Sequence, residues 1–259
     1  MNTATLVTDA RPATSIGAAT LLHPQDWIET PTATKIMELL SYAQVTHDVV
    51  LLYGPGGAGK SEAATEYTVT RDGARYVAMS PATAGIVPAL KAIGDVVGAL
   101  PEKAAGAAAL HEGIIRRVGP YGSTRFLIVD EAQCLSDAAL DQLRAIHDAA
   151  RIGIALIGSP ALYSRLSGGD GAVMLDGLRN RIGRTLSLPG VTPDDAGAAL
   201  DAWAIRDAKL RRSLMDASAK PGGMRNMVKA LRFAGVLAER KNRTPGEADV
   251  RAALREFGG

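Results

Sequence analysis

A glycine-rich run gives the clearest chemical signature in the chain. It reads GPGGAGKS and matches the phosphate-loop pattern G-x-x-x-x-G-K-[ST] at every fixed position. Small residues let successive backbone N–H groups converge on phosphate oxygens. Lys60 supplies a positive charge for the β- and γ-phosphates of a nucleotide, and the Ser61 hydroxyl is suited to ligate magnesium. The predicted nucleotide-binding residues are Gly54, Pro55, Gly56, Gly57, Ala58, Gly59, Lys60, Ser61 and Glu62.

An acidic pair, Asp130 and Glu131, stands at the end of the apolar run FLIVD. Such a run predicts a strand buried on both faces of a parallel sheet, and ligands bind at the carboxyl end of such strands. We expect Asp130 to hold magnesium, directly or through water, and Glu131 to polarise the water that attacks the γ-phosphate. A kinase must exclude that water, so Glu131 favours a nucleoside triphosphatase.

A third polar residue, Ser159, ends another apolar run, IGIALIGS (152–159). Its hydroxyl could hydrogen-bond the attacking water or the γ-phosphate. It could equally cap the helix that opens at Pro160. The sequence leaves both roles open.

These residues lie in an alternation of predicted strands and helices, which indicates an α/β fold with a parallel sheet and right-handed crossovers. A helix is expected over about 32–43, before the first strand. After Pro189-Gly190 the pattern becomes helical only, with three or four helices, one starting at Thr192 or Pro193 and the last at Thr244-Pro245. We predict a tail (1–28), a nucleotide-binding domain (29–190) and a helical domain (191–259). The predicted strands are 48–53, 75–80, 126–130, 152–159 and an edge strand at 185–188.

Bulk properties narrow the class of protein. The 259 residues suit one α/β domain with a smaller domain appended. The single cysteine, Cys134, excludes an intrachain disulfide and suits a reducing cytoplasm. No apolar run of about 18 residues predicts a membrane span, and the N-terminal sequence does not resemble a secretory signal. Residues 191–259 carry a net charge of +4, which fits either a phosphate-facing surface or an ordinary solvated one.

Four segments together resemble the AAA+ ATPases, and within them the B proteins of Mu-type transposable phages. The similarity covers roughly residues 29–240. It implies an AAA+ P-loop fold, with a parallel sheet flanked by helices and a small C-terminal helical lid, and ATP and Mg²⁺ as cofactors. The segments are Gly54–Ser61, DEAQCLSDAALDQLRAIHDAARIGIALIGSPALYSRLSGG (130–169), LRNRIGRTLSL (178–188) and KPGGMRNMVKALRFA (220–234).

The resemblance also implies roles for single residues. Arg181 matches an arginine finger that reaches the γ-phosphate of a neighbouring subunit, with Arg179 and Arg184 as close alternatives. Arg225 matches a second sensor arginine that responds to the state of the nucleotide. Ser159 occupies the first sensor position, where the family more often has asparagine.

The function implied by the resemblance is an ATPase that oligomerises, as a ring or a helical filament, on duplex DNA and activates a transposase. It would act in the cytoplasm of a bacterial or phage-infected cell. Lys91, Arg116 and Arg117 are the candidates for contacts with DNA phosphates, which would carry little sequence preference. The run IIRRVG is equally typical of a solvated helix end.

Two further expectations follow from the same comparison. Members of the family carry an N-terminal helix-turn-helix domain, for which the 28 residues before the ATPase are too few. We therefore expect DNA binding to come from the ATPase oligomer itself or from the helical domain. The alternative function is that of a general-secretion-type AAA+ ATPase, or of another AAA+ regulator that does not act on DNA.

Overall fold

The computed structural model describes residues 27–100, 106–119, 122–168, 172–243 and 245–258. Of the predicted tail, only Trp27 and Ile28 fall within these ranges. The centre of the fold is a five-stranded parallel sheet in the order β2-β3-β4-β1-β5. The strands are β1 Val49–Tyr53, β2 Ala74–Ala78, β3 Phe126–Asp130, β4 Gly153–Gly158 and β5 Ile182–Ser187.

The sequence located the five strands of this sheet, but one end of each of two strands lies two or three residues from its predicted position. The predicted strand 75–80 ends earlier, at Ala78. The predicted edge strand 185–188 begins earlier, at Ile182, because that residue pairs with Val49 across a register shift in the ladder with β1. The position of β5 at the edge of the sheet is as predicted.

Helices cover both faces of the sheet. On one face α1 and α2 pack on a core that includes Phe126 and Ile128, and on the other α3 to α6 pack on a core that includes Leu127 and Val129. Short 3₁₀ turns lie at 81–83, 132–134 and 172–175. The helices are α1 Pro31–Thr46, α2 Lys60–Thr70, α3 Ile86–Val97, α4 Ala107–Arg117, α5 Asp137–Ala150, α6 Pro160–Ser167 and α7 Asp176–Arg179.

The first helix is longer at both ends than the predicted 32–43. Thr30 is its N-cap, and the Thr30 hydroxyl accepts a hydrogen bond from the Ala33 N–H. Pro31 takes the first helical position, where its missing N–H costs nothing. The helix continues to Thr46 and ends where His47 adopts a left-handed conformation.

The described residues of the C-terminal part form four helices and contain no strand. They enclose a separate core that includes Leu200, Leu214 and Leu231, against which Ile28 also packs. The last helix starts at Glu247, just after the predicted start; Thr244 lies outside the described residues. Across the described ranges, no helix is long and apolar enough to cross a membrane. The helices are α8 Pro193–Ala202, α9 Ala208–Ser218, α10 Met224–Glu239 and α11 Glu247–Gly258.

A buried carboxylate joins the two parts. Asp195, in the first turn of α8, is 3% exposed and accepts hydrogen bonds from the Thr32 N–H at 2.8 Å and the Thr32 hydroxyl at 2.7 Å. The Thr192 N–H and hydroxyl donate to it at 3.0 and 2.8 Å. Burial alone would raise the pKa of Asp195, but these hydrogen bonds outweigh it and the pKa is lowered. Asp195 therefore fastens α8 to the start of α1 as a fully hydrogen-bonded charge.

We expect Asp195→Ala to lower the free energy of unfolding by roughly 1.5–3 kcal/mol at neutral pH, the range for a hydrogen bond to a charged group. Because the folded-state pKa is lowered, this contribution exists above the unfolded-state pKa of about 3.9 and is lost as the pH falls through the folded value. Urea denaturation at about pH 7 and about pH 3 measures both effects. Asp194→Ala, which removes the exposed neighbouring carboxylate, is the control, and an equal loss in both variants would contradict the assignment.

Candidate functional site

The phosphate-loop residues, Gly54–Ser61, connect β1 to α2 in a conformation that requires glycine. Gly57 and Gly59 have φ values of 82° and 85°, which side-chain-bearing residues rarely adopt. A Cβ at Gly57 would lie 2.0 Å from the Gly222 carbonyl oxygen, whereas one at Gly59 would meet nothing within 4 Å. Since α2 begins at Lys60, its first N–H groups and its positive dipole end face the loop.

The Lys60 side chain folds back over the loop. Its ammonium group donates to the carbonyl oxygens of Gly54 and Pro55, both at 2.8 Å. Burial lowers the pKa of Lys60; Asp130 and Glu131 oppose this shift, and Arg225 adds to it. Gly54 and Pro55 thus anchor Lys60 and are not among the described residues that line the adjoining cavity.

The two predicted magnesium ligands are in contact. The Ser61 hydroxyl donates to Asp130 Oδ2 at 2.5 Å, and Asp130 is only 1% exposed. The Glu131 N–H donates to the other carboxylate oxygen, Oδ1, at 2.7 Å. The structure therefore brings the two predicted metal-binding oxygens to one point at the end of β3.

Tyr76 completes this cluster, and the sequence did not indicate it. Its hydroxyl donates to Asp130 Oδ2 at 2.8 Å from the neighbouring strand β2. Burial raises the pKa of Tyr76 far above its ordinary value, and the hydrogen bond to Asp130 raises it further. Tyr76 is therefore a neutral donor that fixes the Asp130 carboxylate.

The residues present fit a magnesium ion bound together with a nucleotide. Mg²⁺ is typically held by one or two protein groups, with phosphate oxygens and water as its other ligands. Ser61 and Asp130 supply such a pair. Within the described ranges, no cluster of three or more His, Cys, Asp or Glu side chains is arranged to hold a metal ion alone.

Glu131 has an unusual backbone conformation. Its φ of 52° is uncommon for a residue other than glycine, and its exposed side chain faces the cavity. The Gln133 side-chain amide donates a short hydrogen bond to Glu131 Oε2. The Ser159 N–H in turn donates to Gln133 Oε1 at 3.0 Å. The sequence singled out Glu131 and Ser159 but not the glutamine between them.

Ser159 occupies the N-cap position of α6, but its side chain makes no capping hydrogen bond. The capping alternative is therefore wrong for the hydroxyl. Ser159 is not one of the described cavity-lining residues, and its link to Glu131 runs through its backbone N–H and Gln133. Its role as a sensor stays a prediction.

A cavity of about 440 Å³ lies between the phosphate loop and the C-terminal helices, a size suited to a small-molecule ligand. Its lining combines residues of the phosphate loop with apolar residues from other parts of the chain. The predicted residues that line it are Gly56, Gly57, Ala58, Gly59, Lys60, Ser61, Glu62, Glu131 and Arg225. The apolar lining residues, which the sequence did not indicate, include Trp27, Ile28, Val191, Trp203, Met224 and Val228.

The start of α10 lies directly on the phosphate loop. The Met224 N–H donates to the Gly57 carbonyl oxygen at 3.1 Å. Gly222 and Gly223, with φ values of 103° and 52°, form the turn that permits this approach. Arg225 follows at once and lines the cavity, and its role as a sensor stays a prediction.

Arg181, the predicted finger, lies between α7 and β5 with 42% of its side chain exposed. It donates from Nε to Asp148 Oδ1 at 2.9 Å and from a terminal nitrogen to Oδ2 at 3.2 Å. Arg144 donates to the same carboxylate at 2.9 Å. Burial alone would raise the pKa of Asp148, but Arg181 and Arg144 lower it. Arg181 is thus held at the surface by a carboxylate of its own subunit.

The two alternative finger residues have other partners. Arg179 forms an ion pair with Asp176 at 2.6 Å. The Arg184 guanidinium lies 5.0 Å from the centre of the Tyr42 ring. Like Arg181, neither is among the described residues that line the cavity of its own subunit.

The three DNA-contact candidates lie on one face of the sheet. Lys91 is exposed on α3, and Arg116 and Arg117 are exposed in the last turn of α4, which packs beside α3. Arg116 makes a solvent-exposed ion pair with Glu112 at 3.7 Å. Such pairs contribute little to stability, so Arg116 remains available to a phosphate. The DNA-binding role of all three stays a prediction.

Two family models match successive parts of the chain, and the second match includes β5 of the sheet as well as the C-terminal helices. Residues 43–166 match the AAA domain family, and residues 180–257 match the family described as Mu B transposition protein, C terminal. The chain is similar to AAA+ proteins and to Mu B. The phosphate loop and the acidic pair both lie within the segment that matches the AAA domain family, and this match and the similarity to the ATP-dependent Mu B protein support ATPase activity.

The relationship to Mu B extends over most of the chain. The chain is 29% identical over 239 residues to the ATP-dependent target DNA activator B of Escherichia phage Mu, covering 92% of this chain and 76% of that protein. The activator B of Escherichia phage D108 has the same identity and coverage. Cdc6p from Pyrobaculum aerophilum shares the fold, with a TM-score of 0.69, 15% identity, and coverage of 92% of this chain and 70% of that one.

Proposed function

We propose that this chain is an ATP-dependent DNA-binding ATPase that oligomerises on target DNA, with little sequence preference, and activates a transposase. The observation that carries the ATPase part is the meeting of Ser61 and Asp130 beside Glu131, in a cavity formed by the phosphate loop. The DNA and transposase parts rest on the similarity to the target DNA activators of phages Mu and D108.

In this proposal each residue of the site has a distinct task. The loop N–H groups and Lys60 bind the β- and γ-phosphates, and Glu131 orients and polarises the attacking water. Ser61 and Asp130 would hold Mg²⁺, which when bound would neutralise phosphate charge. Tyr76 keeps the Asp130 carboxylate oriented toward Ser61.

Assembly completes the site in the proposal. ATP lies between two subunits, Arg181 of one reaches the γ-phosphate bound by the other, and Arg225 of the lid responds to the state of the nucleotide. Hydrolysis then loosens the oligomer and releases DNA. Because its target is DNA, we place the protein in the cytoplasm of a bacterial or phage-infected cell.

The test is steady-state ATPase activity with and without duplex DNA, at increasing salt. We expect DNA to stimulate turnover and salt to abolish the stimulation, because phosphate contacts dominate such binding. Replacing Lys91, Arg116 and Arg117 together by alanine should weaken DNA binding equally for all sequences. Arg71→Ala, at an exposed arginine just after α2 on the opposite face, is the control.

The outcomes separate the two parts of the proposal. ATP turnover that DNA leaves unchanged favours the alternative, an AAA+ regulator that does not act on DNA. A folded protein without turnover under any condition overturns the ATPase itself. Loss of DNA binding in the Arg71 control as well as in the triple variant removes Lys91, Arg116 and Arg117 as specific contacts.

A further inference from the structure

We propose that Gln133 is a positioning residue for ATP hydrolysis, and that its side-chain amide sets the orientation of the Glu131 carboxylate. This inference rests on the proposed ATPase function and names a residue that neither the phosphate loop nor the acidic pair includes. Gln133 lies in the 3₁₀ turn that follows β3, two residues after Glu131. It joins Glu131 to the end of the neighbouring strand β4.

The hydrogen-bond partners of Gln133 fix which end of its amide faces Glu131. The Ser159 backbone N–H can only donate, so the amide atom facing it at 3.0 Å must be the oxygen. The NH₂ group is therefore the end that faces Glu131 Oε2. A carboxylate accepts from this group, so the whole chain Ser159–Gln133–Glu131 is satisfied in one orientation only.

The backbone of Gln133 is also held. Arg165 on α6 donates to the Gln133 carbonyl oxygen at 3.0 Å and to the Leu135 carbonyl oxygen at 2.9 Å, and it forms an ion pair with Asp137. Packing is close on the other side, since a Cβ at Gly158 would lie 2.5 Å from Gln133 Oε1. Gln133 is thus fixed at its backbone and at its amide oxygen, and its NH₂ group faces Glu131, which lines the cavity.

This arrangement matters because Glu131 is otherwise free. Its side chain is exposed, and among the described residues Gln133 is the side chain that hydrogen-bonds it. The bond engages one carboxylate oxygen and leaves the other to accept from the attacking water. A general base that is misplaced by about 1 Å can lose about a hundredfold in rate. Gln133 supplies the fixed donor that prevents such a displacement.

The experiment compares Gln133→Glu with Gln133→Ala in the full chain, at saturating DNA. Gln133→Glu retains an acceptor for the Ser159 N–H and nearly the same shape, but it replaces the donor facing Glu131 by a second carboxylate. We expect kcat to fall about 10- to 100-fold in both variants, with the ATP dissociation constant unchanged by calorimetry. Gln142→Glu, the same exchange on α5, is the control and should leave kcat unchanged.

The pH profile distinguishes positioning from packing. Two adjacent carboxylates cannot both ionise easily, so the introduced carboxyl takes up a proton as the pH falls. Once protonated, it can donate to Glu131 as the amide did. The ratio of Gln133→Glu kcat to parent kcat should therefore rise between about pH 8 and about pH 6. The corresponding ratio for Gln133→Ala should stay flat.

Three results would overturn the inference while leaving the proposed function intact. They are parent-like kcat in Gln133→Glu, a loss of ATP affinity that accounts for the whole effect, and a flat pH ratio for both variants. Absence of ATPase activity in the parent protein would instead remove the proposed function itself. Calorimetric ATP binding by each variant shows that it is folded, so no outcome leaves the role of Gln133 untested.

Discussion

Arg181→Ala is expected to lower ATP turnover by the assembled protein by about three to five powers of ten while ATP affinity stays nearly unchanged. An arginine finger stabilises charge that develops on the γ-phosphate only in the transition state, so its loss appears in kcat. Arg181 suits this role because it is half exposed, outside the cavity of its own subunit, and presented at a turn between α7 and β5.

Steady-state turnover at saturating ATP and DNA, with calorimetry for affinity, measures this effect. Arg184→Ala is the matched control, because Arg184 lies on β5 and its guanidinium lies over the ring of Tyr42 on α1. Parent-like turnover in Arg181→Ala would reassign the finger, and a large loss in Arg184→Ala or Arg179→Ala would identify its replacement. Arg181 must leave Asp148 before it can reach a neighbouring subunit. An isolated subunit has no neighbour to supply this arginine and should therefore turn over ATP slowly.

Mixing two inactive variants tests whether the arginine acts between subunits. A subunit with Arg181→Ala keeps an intact phosphate loop, and a subunit with Lys60→Ala keeps an intact Arg181. Where they meet in one assembly, some sites combine both functional parts. Turnover should therefore reappear on mixing, whereas an arginine that acts within its own subunit would leave the mixture inactive.

Lys60→Ala is expected to abolish nucleotide-dependent DNA binding. Lys60 is a partly desolvated charge directed over the loop, and truncating one partner of such a charge pair costs about 2–5 kcal/mol of binding free energy. After such a loss of binding free energy, ATP no longer occupies the cavity at ordinary ATP concentrations. The subunits then lack the nucleotide that, in the proposal, joins them.

Fluorescence anisotropy of labelled duplex DNA, with and without a slowly hydrolysed ATP analogue, gives the result directly. Lys35→Ala, at an exposed lysine on α1, removes the same charge away from the site and should bind like the parent. DNA binding by Lys60→Ala that still responds to the analogue would count decisively against a nucleotide-gated mechanism.

The parts of the site that the sequence predicted are those that a short segment determines. The loop from Gly54 to Ser61 contains its own glycines, its own lysine and the start of its own helix, so its geometry follows from adjacent residues. Asp130 and Glu131 were located because a buried strand ends there. Their meeting with Ser61 followed from the rule that parallel strands deliver ligand-binding residues to one edge.

The residues that the sequence missed depend on contacts between distant segments. Tyr76 reaches Asp130 only because β2 pairs with β3 in a particular register, and a tyrosine in a strand carries no local sign of that. Gln133 gains its importance from the Ser159 N–H, which lies just after the neighbouring strand β4. An amide two residues after the acidic pair was the available signal for Gln133. The sequence did not indicate the apolar lining of the cavity, because this lining combines Trp27 with side chains of the C-terminal helices.

One hydrogen bond links the phosphate loop directly to the C-terminal helices. Gly57 O accepts the Met224 N–H, and the glycine turn before Met224 leaves no room for even a methyl group on Gly57. The phosphate loop and α10 are therefore in direct contact, and neither can move far without the other. We expect a phosphate that widens the loop by a fraction of an ångström to tilt α10, and the 16-residue helix to convert that small step into a larger displacement at its far end.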